Sequence, residues 1–220
     1  ALRGLVQTFV NVEKRLADVN VLLNLSQSQL DSFGSSLFNI AGGTAQSFDT
    51  VAEAATELAR QGLGVEETLK RTNDALILTR LSGLDAADSV KTLTAAINSF
   101  SDSGLTSTQV INKLANVDAA FAVSSADLAN ALSRVGSSAN DAGVSFDELI
   151  ALVTTAQQVT ARGGSVIGNS LKTIFTRLGR SKTQSLLQDF GISLTDDSGN
   201  LKNQVQLLQP SPGSNAAPTF

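Results

Sequence analysis

Leu2, Leu5, Phe9, Val12, Leu16, Val19, Leu23, Ser26, Leu30, Phe33, Leu37 and Ile40 follow one another at alternating spacings of three and four residues. That alternation puts them on one face of a helix in heptad register, with Ser26 as the single polar member. An unbroken helix of this length extends roughly 60 Å at 1.5 Å per residue. Leu fills the first seam positions except at Phe9, and Val, Phe or Ile fill most of the second, which favours three or more associating chains over two. Leu2, Leu5, Phe9, Val12, Leu16, Val19 and Leu23 are the expected oligomer seam. A second reading has Leu25 to Ile40 folding back as an ordinary amphipathic helix, with the polar Asn24 to Gln29 stretch and Gly34 marking a break.

Beyond Gly42-Gly43 the period persists but the runs shorten. Apolar stripes recur at Val90, Leu93, Ile97 and Phe100, at Val110, Leu114, Val117 and Phe121, and at Leu128, Leu132, Val135 and Ala139. Leu149, Val153 and Ala156 continue them, and alanines on the same faces allow close helix approach. Gly62, Gly83 and Gly104 lie 21 residues apart, as do Gly143 and Gly164. A left-handed glycine closing one helix, an apolar contact and a cap opening the next explain the recurrence. The starts are expected at Thr50 with Glu53, Thr106 with Gln109, Ser124 with Asp127 and Ser145 with Glu148. Because the segments share little beyond the corner, tight turns in a bundle explain the period better than a solenoid repeat.

Gly163 and Gly164 interrupt the pattern again, and Ser165 is the expected cap of the next helix. Ile167, Leu171, Ile174 and Leu178 form its apolar face, surrounded by Arg162, Lys172, Arg177, Arg180 and Lys182. The segment from 162 to 182 therefore reads as one basic amphipathic helix. After Phe190-Gly191 the period changes to two, with Ile192 and Leu194 before the turn-like Asp196 to Asn200, which predicts a β-hairpin over 192–203. The expected organisation is all-α: a heptad helix over 1–43, a helical core over 44–208 that includes the hairpin, and a disordered tail over 209–220.

Composition narrows the chemistry. The 220 residues contain no Cys, His, Met, Trp or Tyr, and the three prolines all follow Gln209. A long proline-free stretch can run helix after helix. Without Cys or His, thiol nucleophiles, Ser-His-Asp triads and the usual zinc ligands are excluded. No catalytic, cofactor or metal site is expected, and no small-molecule substrate. The missing initiator Met suggests that Ala1 is not the natural start and that this is a piece of a larger protein. No apolar run approaches the ~18 residues needed to span a bilayer. A net charge of −4 gives no general attraction for nucleic acid.

Several segments carry a resemblance in their residues: VAEAATELARQGLGVEETL (51–69), LDAADSVKTLTAAINSF (84–100), the run from VINKLANV to FDELIALV (110–153), GNSLKTIFTRL (168–178) and DFGISLTDDSGNL (189–201). They lie within residues 51–201, a span of about two thirds of the chain, and resemble the central region of phage tail tape measure proteins. AGVSFDEL (142–149) and GNSLKTIFTRL are the most specific phrases. The resemblance implies a virion component, packed in a few copies inside the tail tube, whose length sets tail length. It implies release at infection to assist DNA passage through the host envelope, and presence in the host cytoplasm during assembly. The implied partners are copies of itself, tail tube and tail tip proteins, and host membrane and phage DNA during ejection. One departure is that the family would continue as helix after Leu201, where this chain runs into PSPGSNAAPTF.

Two other function classes compete with that reading. A binding module could grip DNA or anionic lipid through Arg162, Ser165, Lys172, Arg177, Arg180 and Lys182, with the Gly163 to Ser165 amides aimed at a phosphate. Against it stands the plain reading of a solvated helix face, since the cluster holds a single aromatic residue, Phe175, where stacking on single strands calls for several. A carboxylate-based wall hydrolase is disfavoured, because Glu57, Glu66, Glu67 and Glu148 sit on helix surfaces or in caps, with no Tyr or Trp to stack on sugar.

Overall fold

A computed structural model of the chain describes residues 2–192 and 202, with only the helical backbone for 2–9. Its described residues form α1 (Leu2–Leu23), α2 (Gln27–Thr44), α3 (Phe48–Ala59), α4 (Val65–Ser82), α5 (Ala86–Ser99), α6 (Ser107–Ala120), α7 (Ser125–Asp141), α8 (Phe146–Thr160), α9 (Gly164–Leu178) and α10 (Ser181–Asp189). A single 3-10 turn at Ser101–Ser103 follows α5.

Left-handed residues and hydroxyl caps set these boundaries. Gly62, Gly83, Gly104 and Gly143 have φ of 80°, 71°, 64° and 74° and close the helices before them. Thr106 with Gln109 and Ser145 with Glu148 form reciprocal capping boxes at the starts of α6 and α8. Ser124 Oγ accepts the Asp127 N–H at 3.1 Å to open α7. The start of α3 is earlier than its sequence signal: Ser47, not Thr50, is the cap, and its Oγ accepts the Thr50 N–H at 3.1 Å. Each such cap contributes about 1 kcal/mol.

The core runs through α4 and α7. Helix α4 packs on α2, α3, α5, α6 and α7, while α7 packs on α4, α5, α6, α8 and α9. Leu76 and Leu78 of α4, Leu93 of α5, Leu114 of α6, Leu128 and Leu132 of α7, and Leu149 of α8 are fully buried or nearly so in one continuous cluster. Phe100 and Phe146 meet edge to face, with centroids 5.4 Å apart, and tie the end of α5 to the start of α8. Helix α4 also buries Thr68, Thr72 and Asp74. Thr72 donates to the Thr68 carbonyl at 2.7 Å, and Asp74 accepts from Thr108 of α6 at 3.0 Å, so these polar groups enter the core satisfied.

Helices α7 and α9 make the closest backbone approach. A Cβ on Gly164 would overlap the Asp127 carbonyl, and one on Gly168 would lie 2.8 Å from the Ala131 carbonyl oxygen and 2.9 Å from its Cα. Two glycines four residues apart thus form a groove over Asp127 and Ala131. Ile167 and Phe175 beside the groove are buried, whereas α10 contributes no buried residue.

Three expectations change. The fold is all-α without a strand among the described residues, so the hairpin over 192–203 is not part of the fold class. Ile192, its expected first residue, donates its N–H to the Leu187 carbonyl at 2.9 Å, and with Gly191 at φ 74° it terminates α10 instead. The rest of that segment, apart from Lys202, and the expected tail over 209–220 lie outside the described residues. The stretch 162–182 is not one helix, because α9 ends at Leu178 and α10 begins at Ser181. Its cap is Gly163 rather than Ser165, and Ala161 at φ 52°, not Gly164, makes the left-handed turn.

Substitution of Gly164 by Ala is expected to cost about 3 kcal/mol or more, because the obstructing atoms are backbone. Gly168→Ala is expected to cost about 1 to 3 kcal/mol despite the better helix propensity of Ala. Urea unfolding followed by circular dichroism measures both, with Ser170→Ala on the exposed face as the near-neutral control.

Candidate functional site

The first candidate surface is the α1 seam. Val19 is fully buried, and Leu16 and Leu23 pack partly buried against the core. Val12 is half-buried, while the side chains of Leu2, Leu5 and Phe9 are outside the described set. Within one chain this face rests on α3 and, more lightly, on α2. Leu16 lies over Gly34 of α2, where a Cβ would stand 3.0 Å from its Cδ1. The heptad phase continues from α1 into α2, but the helix does not: Asn24 adopts φ 50° and the chain turns back.

Sequence reasoning missed the polar link that fastens α1. Arg15 Nε donates to Asp49 Oδ1 at 3.1 Å, and its Nη2 donates to Glu53, one turn further along α3. The Asp49 hydrogen bond is the main influence raising the Arg15 pKa, burial opposes it, and Glu53 raises it further. All three side chains are at least a third exposed, so the link contributes only about 1 kcal/mol, screened by salt. Spacing offered one signal, since Asp49 and Glu53 at i and i+4 present two carboxylates on one face. An open groove of about 700 Å³ lies beside them, rimmed by Asp18, Glu57, Arg60 and Lys91. Its cations are paired, Arg60 with Glu57 and Lys91 with Asp88.

The second candidate is the basic surface. Arg162, Lys172, Arg177, Arg180 and Lys182 are all exposed, and none forms an ion pair with a described residue. Asp189 is the single acidic residue between 162 and 192. Arg177, Arg180 and Lys182 gather at the α9–α10 corner, whereas Arg162 precedes α9, roughly 20 Å away along the helix. Ser165 is half-buried inside the first turn of α9. Of the Gly163 to Ser165 amides expected to meet a phosphate, that of Gly164 is already engaged: its N–H donates to Asp127 Oδ1 at 2.7 Å. The chain's own carboxylate therefore occupies the positive end of α9. What remains is a spread of solvated cations, not an anion pocket. Among the described residues no group of His, Cys, Asp or Glu is placed to hold a metal ion, and no helix is long and apolar enough to cross a membrane.

A family model described as phage-related minor tail protein matches residues 27–210, starting at the first residue of α2. The chain is also similar to the tape measure protein of Pneumococcus phage Dp-1, 22% identical over 202 residues that make up 90% of this chain and 18% of that protein. The chain thus spans under a fifth of the length of this relative. No solved structure matches it.

Asp127→Ala is expected to destabilise the chain by about 1 to 3 kcal/mol, because it leaves the Gly164 amide without its acceptor. Replacing Lys172, Arg177 and Arg180 together by Ala is expected to change stability by less than about 0.5 kcal/mol. Paired urea melts of the two variants measure the contrast.

Proposed function

The chain belongs to the phage-related minor tail protein family, and from that premise we propose that it is a folded segment of a tape measure protein, the internal tail component whose length sets tail length. The similarity to the Dp-1 tape measure protein over 90% of the chain carries this reading. In it, a few copies lie inside the tail tube against tube and tip proteins after assembly in the host cytoplasm. At infection they leave ahead of the DNA and assist its passage through the host envelope. The character of the surface supports a structural role. The groove beside Arg15 is lined mostly by paired charges and apolar residues, and the buried polar residues Thr72 and Asp74 are bonded within the helices' own framework. Copies associate through the apolar stripe of α1.

A second reading has a specific observation behind it. Five exposed cations without ion pairs, against one acid over the same stretch, give α9 and α10 a local positive field in an acidic chain. In this reading they hold DNA or anionic lipid through non-specific charge contacts. Loss of salt-dependent binding to duplex DNA or anionic vesicles in the Lys172, Arg177 and Arg180 to Ala variant distinguishes it from a merely solvated face.

In-frame deletion of residues 27–192 from the parent gene tests the tape measure reading, with tail length measured by electron microscopy. The deletion is expected to shorten the tail. The change would be roughly 250 Å if the segment is drawn out as helix at 1.5 Å per residue, or about 40 Å if it stays folded as a body of this size. An unchanged tail would remove the segment from the length-setting part.

A further inference from the structure

The joint between α1 and α2 is built from residues that do not require a bend. Residues 24–26 contain neither Gly nor Pro. Asn24 alone adopts the left-handed conformation, at φ 50°, while its N–H keeps a helical bond of 2.8 Å to the Asn20 carbonyl. Ser26, at ψ 162°, holds the bend from the α2 side, its N–H donating to Gln29 Oε1 at 3.0 Å, and from the α1 side the bend is held by the Asn20 amide. Its Oδ1 accepts the Leu25 N–H at 2.7 Å and its Nδ2 donates to the Leu25 carbonyl at 3.2 Å. Straightening would return Asn24 to the right-handed region and exchange these bonds for ordinary helical ones. Asn tolerates the left-handed state better than other residues with a Cβ, so the backbone at residue 24 gains only a little by straightening.

Heptad phase runs through this joint without a slip: Val19, Leu23, Ser26, Leu30, Phe33, Leu37. One inserted or missing residue would rotate the two apolar stripes by about 100°. In the straight form the α1 stripe and the α2 stripe therefore share one face. Phe33 and Leu37 are buried in the body, so α2 stays docked. Helix α1 would then project beyond it with Leu16, Val19 and Leu23 exposed, and the α3 surface around Asp49 and Glu53 would be left uncovered. A second copy opened in the same way offers the missing complement to both surfaces.

We propose that α1 is an exchangeable arm, and that two copies of this chain form a domain-swapped dimer in which each α1 docks on the α2 and α3 surface of the other copy. Residues 2–44 of each chain then form one helix roughly 65 Å long. Leu16 lies over the second copy's Gly34, and Arg15 pairs with the second copy's Asp49 and Glu53. No new contact is needed, which makes exchange a low-cost route to a dimer. The start of the family match at Gln27 accords with an arm distinct from the body. The inference shares self-association with the proposed function but does not depend on the tail role. Exchange in solution with no effect of the deletion on tail length would retain the one and discard the other.

Two 220-residue variants test it, one carrying Arg15→Glu and the other carrying Asp49→Arg with Glu53→Arg. In either alone, every α1–α3 contact brings like charges together, whether within a chain or between identical chains. Only an exchanged heterodimer restores opposite charge at both contacts. Native mass spectrometry of the equimolar mixture at low salt is expected to show heterodimer exceeding either homodimer by about tenfold, declining as salt is raised. A mixture that stays monomeric, or pairs in statistical proportions, overturns the proposal. In the otherwise unsubstituted chain, Asn24→Ala makes the bend harder and is expected to tighten dimerisation by about tenfold, since each dimer relieves two left-handed residues. Asn24→Gly is expected to weaken it. Equal dimer fractions in the two Asn24 variants, measured by sedimentation, likewise overturn the proposal.

Discussion

The Asp127 carbonyl occupies the space where any side chain on residue 164 would stand. Because Gly164 and Gly168 leave that space empty, α9 lies with its backbone against α7, close enough for the Gly164 amide to reach the Asp127 carboxylate at 2.7 Å. Close packing of this kind gains dispersion contacts over the whole facing strip. It also fixes α9 in register, since sliding by one residue would drive a Cβ into backbone. Helix α7 transmits that constraint inward through its contacts with α4, α5, α6 and α8. It also sets which way the basic surface faces: with Ile167, Gly168 and Phe175 turned inward, Lys172 and Arg177 are turned to solvent.

This geometry gives physical content to the phrase GNSLKTIFTRL. The Gly of that phrase is the second groove glycine, its Phe is the buried anchor, and its Lys and Arg are exposed. AGVSFDEL marks another fixed point. Its Gly turns the chain at φ 74°, its Ser caps α8, its Glu completes the capping box, and its Phe meets Phe100 edge to face. Both phrases hold residues that hydrophobicity alone does not specify. That is why they distinguish this bundle from other alanine-rich helices.

Legibility followed from how locally each feature is encoded. Helices α5 to α8 were readable because stripe, corner glycine and cap all lie within about twenty residues. The central helix α4 gave no clear stripe, because it buries Thr68, Thr72 and Asp74. Thr72 satisfies its hydroxyl on its own backbone and Asp74 does so on a residue 34 positions away. The glycines at 163 and 164 were visible, but their sequence does not say whether a glycine serves a left-handed turn or a close approach. Ala161 took the first role and left Gly164 the second. The seam of α1 was visible as a stripe, yet its occupant within the chain was not, because Asn24 bends the helix without a glycine. The cation cluster was legible as charge, but the filling of the α9 N-terminus beside it was not, since the carboxylate there comes from Asp127, far away in sequence.

The order in which these helices hold on to the body gives it a direction under mechanical load. Helix α10 has no buried side chain and touches the described body chiefly through α9. A pull applied from that side would peel α10 away at low force, then meet the glycine groove, where the load acts in shear along two interlocked backbones. From the other end, α1 is fastened by a few apolar side chains and a solvent-screened ion pair, and it would yield early. A chain drawn lengthwise would therefore surrender its two outer helices first and resist at the α7–α9 clasp, a mechanical fuse set by the absence of two methyl groups.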